Sequence, residues 1–148
     1  MPFRSPSTCI SRAVMINCVF CSIAAEEAPS YKVAESDRAV AFLDINPAAN
    51  GHTLVIPKAH ADDIWDLEPE DGRAVWTLSQ EVAALLSERL DPDGLTIFQA
   101  NRKSGWQHVF HFHLHLVPRW TDDGLRKPWD LTPGDPAALE TVSERLRI

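Results

Sequence analysis

The stretch His111-Phe112-His113-Leu114-His115-Leu116 decides which fold we expect for this chain. Polar and apolar residues alternate strictly in it, and a β-strand directs alternate side chains to opposite faces. We therefore predict a strand over residues 109–117 that carries three imidazoles on one face, with neighbours about 6.5 to 7 Å apart. The opposite face is expected to pack against a helix, and it consists of Phe110, Phe112, Leu114 and Leu116.

Three histidines on one face of a strand indicate a functional site, because burying imidazoles costs desolvation free energy that apolar residues would avoid. Two chemical interpretations are open from these residues alone. Histidines two residues apart on a strand can chelate one catalytic metal ion and leave a position open for water. Alternatively, one imidazole is a nucleophile and another polarises the group under attack.

The rest of the chain predicts a single α+β domain around this strand. Short β-branched or aromatic runs separated by turn residues predict an antiparallel sheet of about five strands. Apolar residues at helical spacing predict one long helix, and a weaker pattern predicts a short C-terminal helix. The predicted strands are residues 31–35, 40–45, 53–56, 95–100 and 109–117, and the predicted helices are residues 69–90 and 136–146, the latter capped by Asp135.

Composition excludes several classes of protein. The 148 residues match one typical domain, and 14 Lys+Arg against 21 Asp+Glu give a net charge of −7. That charge is the wrong sign for binding a nucleic acid polymer through its phosphates. No apolar stretch is long enough to span a membrane. The three cysteines are too few for a secreted disulfide scaffold, so we expect reduced thiols and a cytoplasmic location.

The stretch Cys18-Val19-Phe20-Cys21 has the spacing that places two thiolates on one zinc ion. Redox pairs and unrelated core cysteines share this spacing. A closed site needs two more ligands, and the available histidines are His52, His60, His108 and the three of the strand. Four protein ligands would make the site structural rather than catalytic.

The run from Gly105 through His111-Phe112-His113-Leu114-His115-Leu116 to Arg119 closely resembles the signature of the histidine triad (HIT) family, His-φ-His-φ-His-φ-φ with φ apolar. The similarity extends to residues 41–47 and 51–60 and to the two cysteines. The similarity covers residues 17–120. It is greatest with the branch of the family that contains nucleoside phosphoramidate hydrolases and small zinc-containing bacterial proteins. We interpret residues 1–16 as a disordered extension and residues 121–148 as a C-terminal segment packed on the domain.

The resemblance implies a HIT-like fold, a homodimer and a purine nucleotide or nucleotide conjugate as ligand. The implied activity is hydrolysis of nucleoside 5'-monophosphate derivatives, such as phosphoramidates, through a nucleotidyl-histidine intermediate. The middle histidine of the triad is the family's nucleophile and corresponds to His113. The last corresponds to His115, which would contact the phosphate and the leaving group.

The resemblance also implies which residues bind the nucleotide and a metal. Asn101 and Gln107 match positions that hold phosphate oxygens, and Asp44 matches the carboxylate that accepts the ribose hydroxyls. We place His52 among the binding residues as a hydrogen-bonding support beneath the triad. The apolar base pocket would comprise Phe20, Phe42, Ile45 and Leu54. One structural zinc ion per chain would be held by Cys18, Cys21, His60 and His111.

One departure from the family pattern concerns the leaving group. Where the family often carries Ser or Thr, this chain has His108, a larger and titratable side chain. Three further interpretations remain open: a transferase that passes the nucleotidyl group to phosphate, a nucleotide-binding regulatory module with incidental turnover, and a hydrolase with zinc on the triad itself.

Overall fold

A computed structural model describes residues 17–148, so the prediction for residues 1–16 lies outside the described part of the chain. Five strands form one antiparallel sheet in the order β1-β2-β3-β5-β4. The predicted α+β fold is thereby confirmed. In chain order the elements are α1 (Val19–Ala24), β1 (Lys32–Glu35), β2 (Ala39–Leu43), β3 (Thr53–Pro57), α2 (Pro69–Leu90), β4 (Gly94–Gln99), a short 3-10 turn (Lys103–Gly105), β5 (Leu114–Arg119) and α3 (Pro136–Leu146).

The long helix α2 covers one face of the sheet and is confirmed where the apolar spacing predicted it. It begins with Pro69, whose fixed φ suits the first helical turn, and it ends before Asp91, which adopts a left-handed conformation with φ of 48°. We call this side of the sheet the helix face. Its core residues include Ala41, Val55, Val82, Leu114 and Leu116.

The opposite side of the sheet, which we call the site face, holds a second apolar cluster. Strand alternation brings Val40 and Phe42 of β2 to this face. The short helix α1 covers it with Phe20 and Ile23. The apolar layer therefore places the Cys-x-x-Cys segment, at the start of α1, directly beside the central strands.

Strand β5 is shorter than the strand predicted over residues 109–117. The ladder between β3 and β5 ends at the Val55–Leu114 pair, and Phe112 N–H instead donates to the Ala61 carbonyl at 2.7 Å. The expectation that three imidazoles lie on one strand face is therefore wrong: His111 and His113 precede the strand. Phe110 was also misplaced, because its side chain is 54% exposed instead of packed on the helix.

The hairpin between β2 and β3 lies close to the end of α2, and one glycine permits this approach. Gly51 has φ of +83°, and a Cβ added to it would meet the side chain of Leu90. A side chain at this position would require the end of the Leu90 side chain to shift and would be strained at this positive φ. Gly51 therefore allows the loop from Asp44 to His52 to approach the end of α2 closely.

The C-terminal segment has two different parts. Residues Leu125, Pro128 and Trp129 line a cavity beside β4 and β5. Asp135 caps α3 as predicted, because its carboxylate accepts the Ala138 N–H at 3.0 Å, but every residue of α3 is solvent-exposed. Within residues 17–148, no helix is both long enough and apolar enough to cross a membrane.

Candidate functional site

Two cysteines and two histidines from distant parts of the chain converge beside α1. Their ligand atoms, in Cys18, Cys21, His60 and His111, all lie within 4.8 Å of one another. The His60 Nδ1 atom is 3.2 Å from Cys21 Sγ, and His111 Nδ1 is 3.5 Å from both sulfur atoms. Ligands at about 2.0 to 2.3 Å from a tetrahedral zinc ion would be separated by about 3.3 to 3.8 Å. These four residues could hold a metal ion.

The outer nitrogen of each of these histidines donates to an oxygen, which fixes the orientation of both rings. His111 Nε2 donates to the Pro57 carbonyl at 2.8 Å, and His60 Nε2 donates to the Asp62 carboxylate at 2.7 Å. Neither oxygen has a proton to give, so each Nδ1 directs a lone pair toward the sulfur atoms. This arrangement of outer hydrogen bonds is the one that metal-ligating histidines usually show.

Burial controls protonation in the cysteine–histidine cluster. It lowers the pKa of His111 to about 4, so the imidazole is neutral at pH 7 and free to ligate. Burial, together with the neighbouring Cys18, raises the pKa of Cys21 to about 12. A dication would reverse the effect on the thiol, because thiolate is the form that binds metal.

His113 lies next to this cluster and presents one nitrogen for chemistry. Its Nδ1 donates to the His111 carbonyl at 2.7 Å, which leaves the Nε2 lone pair exposed to a ligand. Phe20 packs edge-on against the ring at 5.2 Å between centroids. Burial lowers the pKa of His113, which is therefore neutral and nucleophilic at neutral pH.

A chain of hydrogen bonds fixes the tautomer of His115. The Ala48 N–H donates to His52 Nδ1 at 3.0 Å, so the proton of neutral His52 is on Nε2. His52 Nε2 then donates to His115 Nδ1 at 2.9 Å. Neutral His115 consequently carries its proton on Nε2.

Packing keeps His115 in its neutral form. Phe98 stacks on the imidazole, with the ring centroids 4.1 Å apart and the planes 8° from parallel. Burial, with smaller effects from His113, His52 and His108, lowers the pKa of His115 to about 3. The rings of His113 and His115 are 4.8 Å apart, close enough to contact one ligand.

The residues predicted to bind ribose and base lie near His113, with one exception. Asp44 accepts the Asn46 N–H through Oδ1 at 2.8 Å, and its Oδ2 is 3.6 Å from His52 Nε2. The carboxylate therefore faces the triad. Phe20, Phe42 and Leu54 share the apolar cluster of the site face, whereas Ile45 is 78% exposed in the following loop.

Asn101 and Gln107 are both held in hydrogen bonds within the protein. Asn101 Oδ1 accepts the Ile64 N–H at 2.8 Å, and its amide pairs with Gln99. Gln107 accepts the Arg102 N–H at 2.6 Å and donates to the carbonyls of Asp62 and Val109. Both N–H groups of Gln107 are thus engaged, which fixes the loop before His113.

The segment after His60 links the metal-ligand cluster to this loop, a connection that sequence reasoning missed. Asp63 is buried and accepts Arg102 Nε at 2.9 Å, while its other oxygen accepts the Trp65 N–H. The pairing with Arg102 lowers the pKa of Asp63. Arg102 has a positive backbone φ of 61°, which residues other than glycine rarely adopt. Asp62, two residues after His60, was visible in the sequence as an acidic neighbour of a candidate ligand.

His108 is solvent-exposed at the rim of this site. After burial, His108 is one of the smaller contributors to the lowered pKa of both His113 and His115. Because β5 begins only at Leu114, strand alternation does not set the direction of the His108 side chain.

Comparisons with known proteins agree with this geometry. Residues 25–122 match the model of the HIT domain family. The chain is 35% identical over 133 residues to "Protein hit" of Bacillus subtilis. The aligned region covers 88% of this chain and 92% of that protein. It is 32% identical over 132 residues to a Schizosaccharomyces pombe protein named adenosine 5'-monophosphoramidase hnt1, with 88% and 96% coverage.

A solved structure matches the fold of the whole domain. The crystal structure of a zinc-bound histidine triad family protein from Mycobacterium smegmatis superposes with a TM-score of 0.71 at 35% identity. The match covers 88% of this chain and 98% of the other.

Proposed function

Since this chain belongs to the HIT domain family, we propose that it hydrolyses nucleoside 5'-monophosphate derivatives at the α-phosphorus, with His113 as nucleophile. The observation that carries the proposal is the bond from His113 Nδ1 to the His111 carbonyl. It directs the lone pair of Nε2 away from the backbone, while burial keeps the ring unprotonated. The relative named as a phosphoramidase supports a phosphoramidate as substrate.

The reaction proceeds in two displacements. His113 Nε2 forms a bond to the α-phosphorus, the phosphorus–nitrogen bond breaks, and the amine leaves with one proton taken from solvent. Water then attacks the nucleotidyl-histidine, releases the nucleoside monophosphate and returns its proton to solvent. His115 serves both steps as a hydrogen-bond donor through Nε2–H, because an imidazole with a pKa of about 3 is already neutral and cannot act as an acid at pH 7.

The nucleotide is positioned by groups on either side of His113. We propose that Asp44 accepts the ribose hydroxyls, because its carboxylate faces the triad from the loop after β2. Phe20, Phe42 and Leu54 form an apolar floor for the base, with Ile45 able to close over it from the exposed loop. Asn101 holds a phosphate oxygen, and Gln107 shapes the loop that carries the triad.

We propose that the cysteine–histidine cluster binds one structural zinc ion. Two cysteine sulfur atoms and two imidazole nitrogens at tetrahedral separations suit zinc, and a closed set of four ligands leaves no position for water. When bound, zinc would supply rigidity to α1 and to the segment before the triad. The zinc-bound Mycobacterium smegmatis relative supports this assignment.

We also propose a homodimer, formed through the edge of the sheet. All of β4 is at least partly solvent-exposed, and Leu95 and Ile97 are 36% and 39% exposed on the helix face. An exposed apolar edge strand invites pairing with a second strand. Sedimentation of wild type and Ile97→Glu would test this, because the charge should shift a dimer to monomer.

The test of the proposed function is release of AMP from adenosine 5'-phosphoramidate. Wild type is expected to release AMP, and His113→Ala is expected to bind AMP but not to turn over. Trapping of radiolabelled nucleotide on denatured wild type, but not on the variant, would support the covalent intermediate. Equal release by both proteins would overturn His113 as nucleophile and favour metal-centred hydrolysis, whereas binding without release by wild type would favour a regulatory module.

A further inference from the structure

The two cysteines of the metal-ligand cluster occupy unequal positions at the start of α1. Cys18 is partly exposed to solvent, whereas Cys21 is buried. The Cys21 N–H donates to Cys18 Sγ at 3.4 Å, and the two sulfur atoms lie within 4.8 Å of each other. An accessible thiolate beside a second cysteine is the arrangement found in cysteine pairs that react with oxidants. The pair can therefore undergo a reaction that the proposed hydrolysis does not use.

The same cysteines connect α1 to segments that are distant in the chain. Both sulfur atoms lie 3.5 Å from His111 Nδ1, and Cys21 Sγ lies 3.2 Å from His60 Nδ1. Helix α1 has 6 residues. An isolated helix needs roughly 12 to 15 residues to be even marginally stable in water. The position of α1 on the site face thus depends on these contacts and on its apolar side chains.

Phe20 connects the cysteine pair with the nucleotide site. It lies between the two cysteines in sequence, and its ring packs edge-on against Phe42 and His113, at 5.4 and 5.2 Å between centroids. Phe20 and Phe42 belong to the floor that we propose for the base. A reaction of the cysteines that loosens α1 is therefore expected to weaken nucleotide binding.

A disulfide between the two cysteines would remove the metal ion. A disulfide sulfur carries no negative charge, and thiolate is the form of cysteine that ligates a metal. The remaining ligands, His60 and His111, would leave two of the four positions of a tetrahedral zinc ion without a protein ligand. Without the metal ion, α1 would no longer be tied to the segments that carry these histidines.

We propose that Cys18 and Cys21 form a peroxide-sensitive switch, in which their oxidation to a disulfide releases zinc, loosens α1 and weakens nucleotide binding. The proposal rests on the proposed zinc site and base pocket and adds a regulatory reaction to them. The Cys18 thiolate attacks one oxygen of hydrogen peroxide, the O–O bond breaks, and hydroxide leaves. The Cys21 thiolate then attacks the sulfur of the Cys18 sulfenic acid, so that the S–S bond forms, the S–O bond breaks and a second hydroxide leaves. The two sulfur atoms together lose two electrons, and the peroxide gains them.

The experiment exposes the full chain carrying Cys9→Ser, loaded with zinc, to hydrogen peroxide. This background leaves Cys18 and Cys21 as the only cysteines, so no third thiol competes. We expect one zinc ion to pass to a coloured chelator for each disulfide formed, and the protein mass to fall by two hydrogen atoms. Oxidised Met1 or Met15 would instead add oxygen, so the mass separates the two reactions. Dithiothreitol together with zinc should restore the original protein.

Two further measurements follow the effect of the disulfide on the protein. The Kd for AMP should rise about tenfold, which is typical for loss of an apolar contact in a binding pocket. Hydrogen exchange should become faster in α1, while exchange in α2, on the other face of the sheet, should change little.

Cys18→Asp in the same background is the matched control. Aspartate ligates zinc and favours the N-cap position that Cys18 occupies, but it cannot form a disulfide. Zinc bound to this variant should stay bound under the peroxide treatment that empties the parent protein. If the variant fails to bind zinc, comparison of the parent protein before peroxide, after peroxide and after dithiothreitol still decides the result.

The outcomes separate the switch from the proposals on which it rests. A chain that holds no zinc, or binds no AMP, before treatment would overturn the switch together with the corresponding site. Zinc that stays bound under peroxide, or a disulfide that leaves the Kd for AMP unchanged, would overturn the switch alone. Release of AMP from adenosine 5'-phosphoramidate by the untreated chain tests the hydrolase function independently.

Discussion

Acid should destabilise this protein through His115, and the structure gives the size of the effect. Burial lowers the pKa of this imidazole from 6.5 to about 3. The unfolded chain therefore takes up a proton near pH 6.5, whereas the folded chain does so only near pH 3. The stability from the neutral ring is complete above pH 6.5 and is lost as the pH falls toward 3.

Between pH 8 and pH 5 the unfolded state gains this proton and the folded state does not. The difference between 6.5 and 5, at about 1.4 kcal/mol for each pH unit, corresponds to about 2 kcal/mol for a fully buried ring. His115 keeps some contact with solvent, so we expect about 1 to 2 kcal/mol.

The assay is urea unfolding of wild type and His115→Gln at both pH values, at one protein concentration. The stability of wild type should fall further between pH 8 and pH 5 than that of the variant, by the amount above. Phe98→Leu keeps the imidazole but removes the ring that covers one of its faces, so it should lower stability and give a pH dependence between those of wild type and His115→Gln. The reasoning would be refuted if wild type and His115→Gln lost equal stability over this range.

Three further predictions concern groups around the triad. Cys18→Ser should lower the zinc content and the melting temperature, while the kcat of each folded molecule is largely kept. Metal analysis together with active-site titration would measure both quantities. A variant that is fully folded but has lost kcat would argue for a catalytic zinc ion instead. His52→Phe removes the donor to His115 Nδ1 and should lower kcat about 10- to 100-fold with little change in KM, which steady-state kinetics would measure. Asp63→Asn weakens the ion pair with Arg102 and should raise KM more than it lowers kcat, while the zinc content is kept. An unchanged KM would show that Asp63 does not position the loop.

The sheet and the long helix were predictable because their signals are local. The spacing of apolar residues predicted both ends of α2 correctly. The short β-branched and aromatic runs predicted the ends of the strands to within a few residues. The strand carrying the triad was overextended because alternation alone cannot show where a partner strand ends. The bend at Phe112 depends on the carbonyl of Ala61, some fifty positions away in sequence, for which no side chain gives a signal.

The candidate site was predictable in its members and less so in its arrangement. Spacing indicated Cys18 and Cys21, and the family resemblance supplied His60 and His111, which the structure brings together with them. The hydrogen bonds of Gln107 could not be foreseen, since its partners are backbone atoms positioned by the tertiary fold. The cavity also escaped prediction, because its walls come from segments far apart in the chain.

The backbone partners of the imidazoles have a consequence for how the protein tolerates mutation. The protons of His111 and His113 are directed by the carbonyls of Pro57 and His111, and that of His52 by the N–H of Ala48. Every amino acid supplies a carbonyl and all but proline supply an N–H. Genetic drift at positions 48 and 57 can therefore change side chains without erasing the proton arrangement, provided the local backbone is kept and position 48 does not become proline.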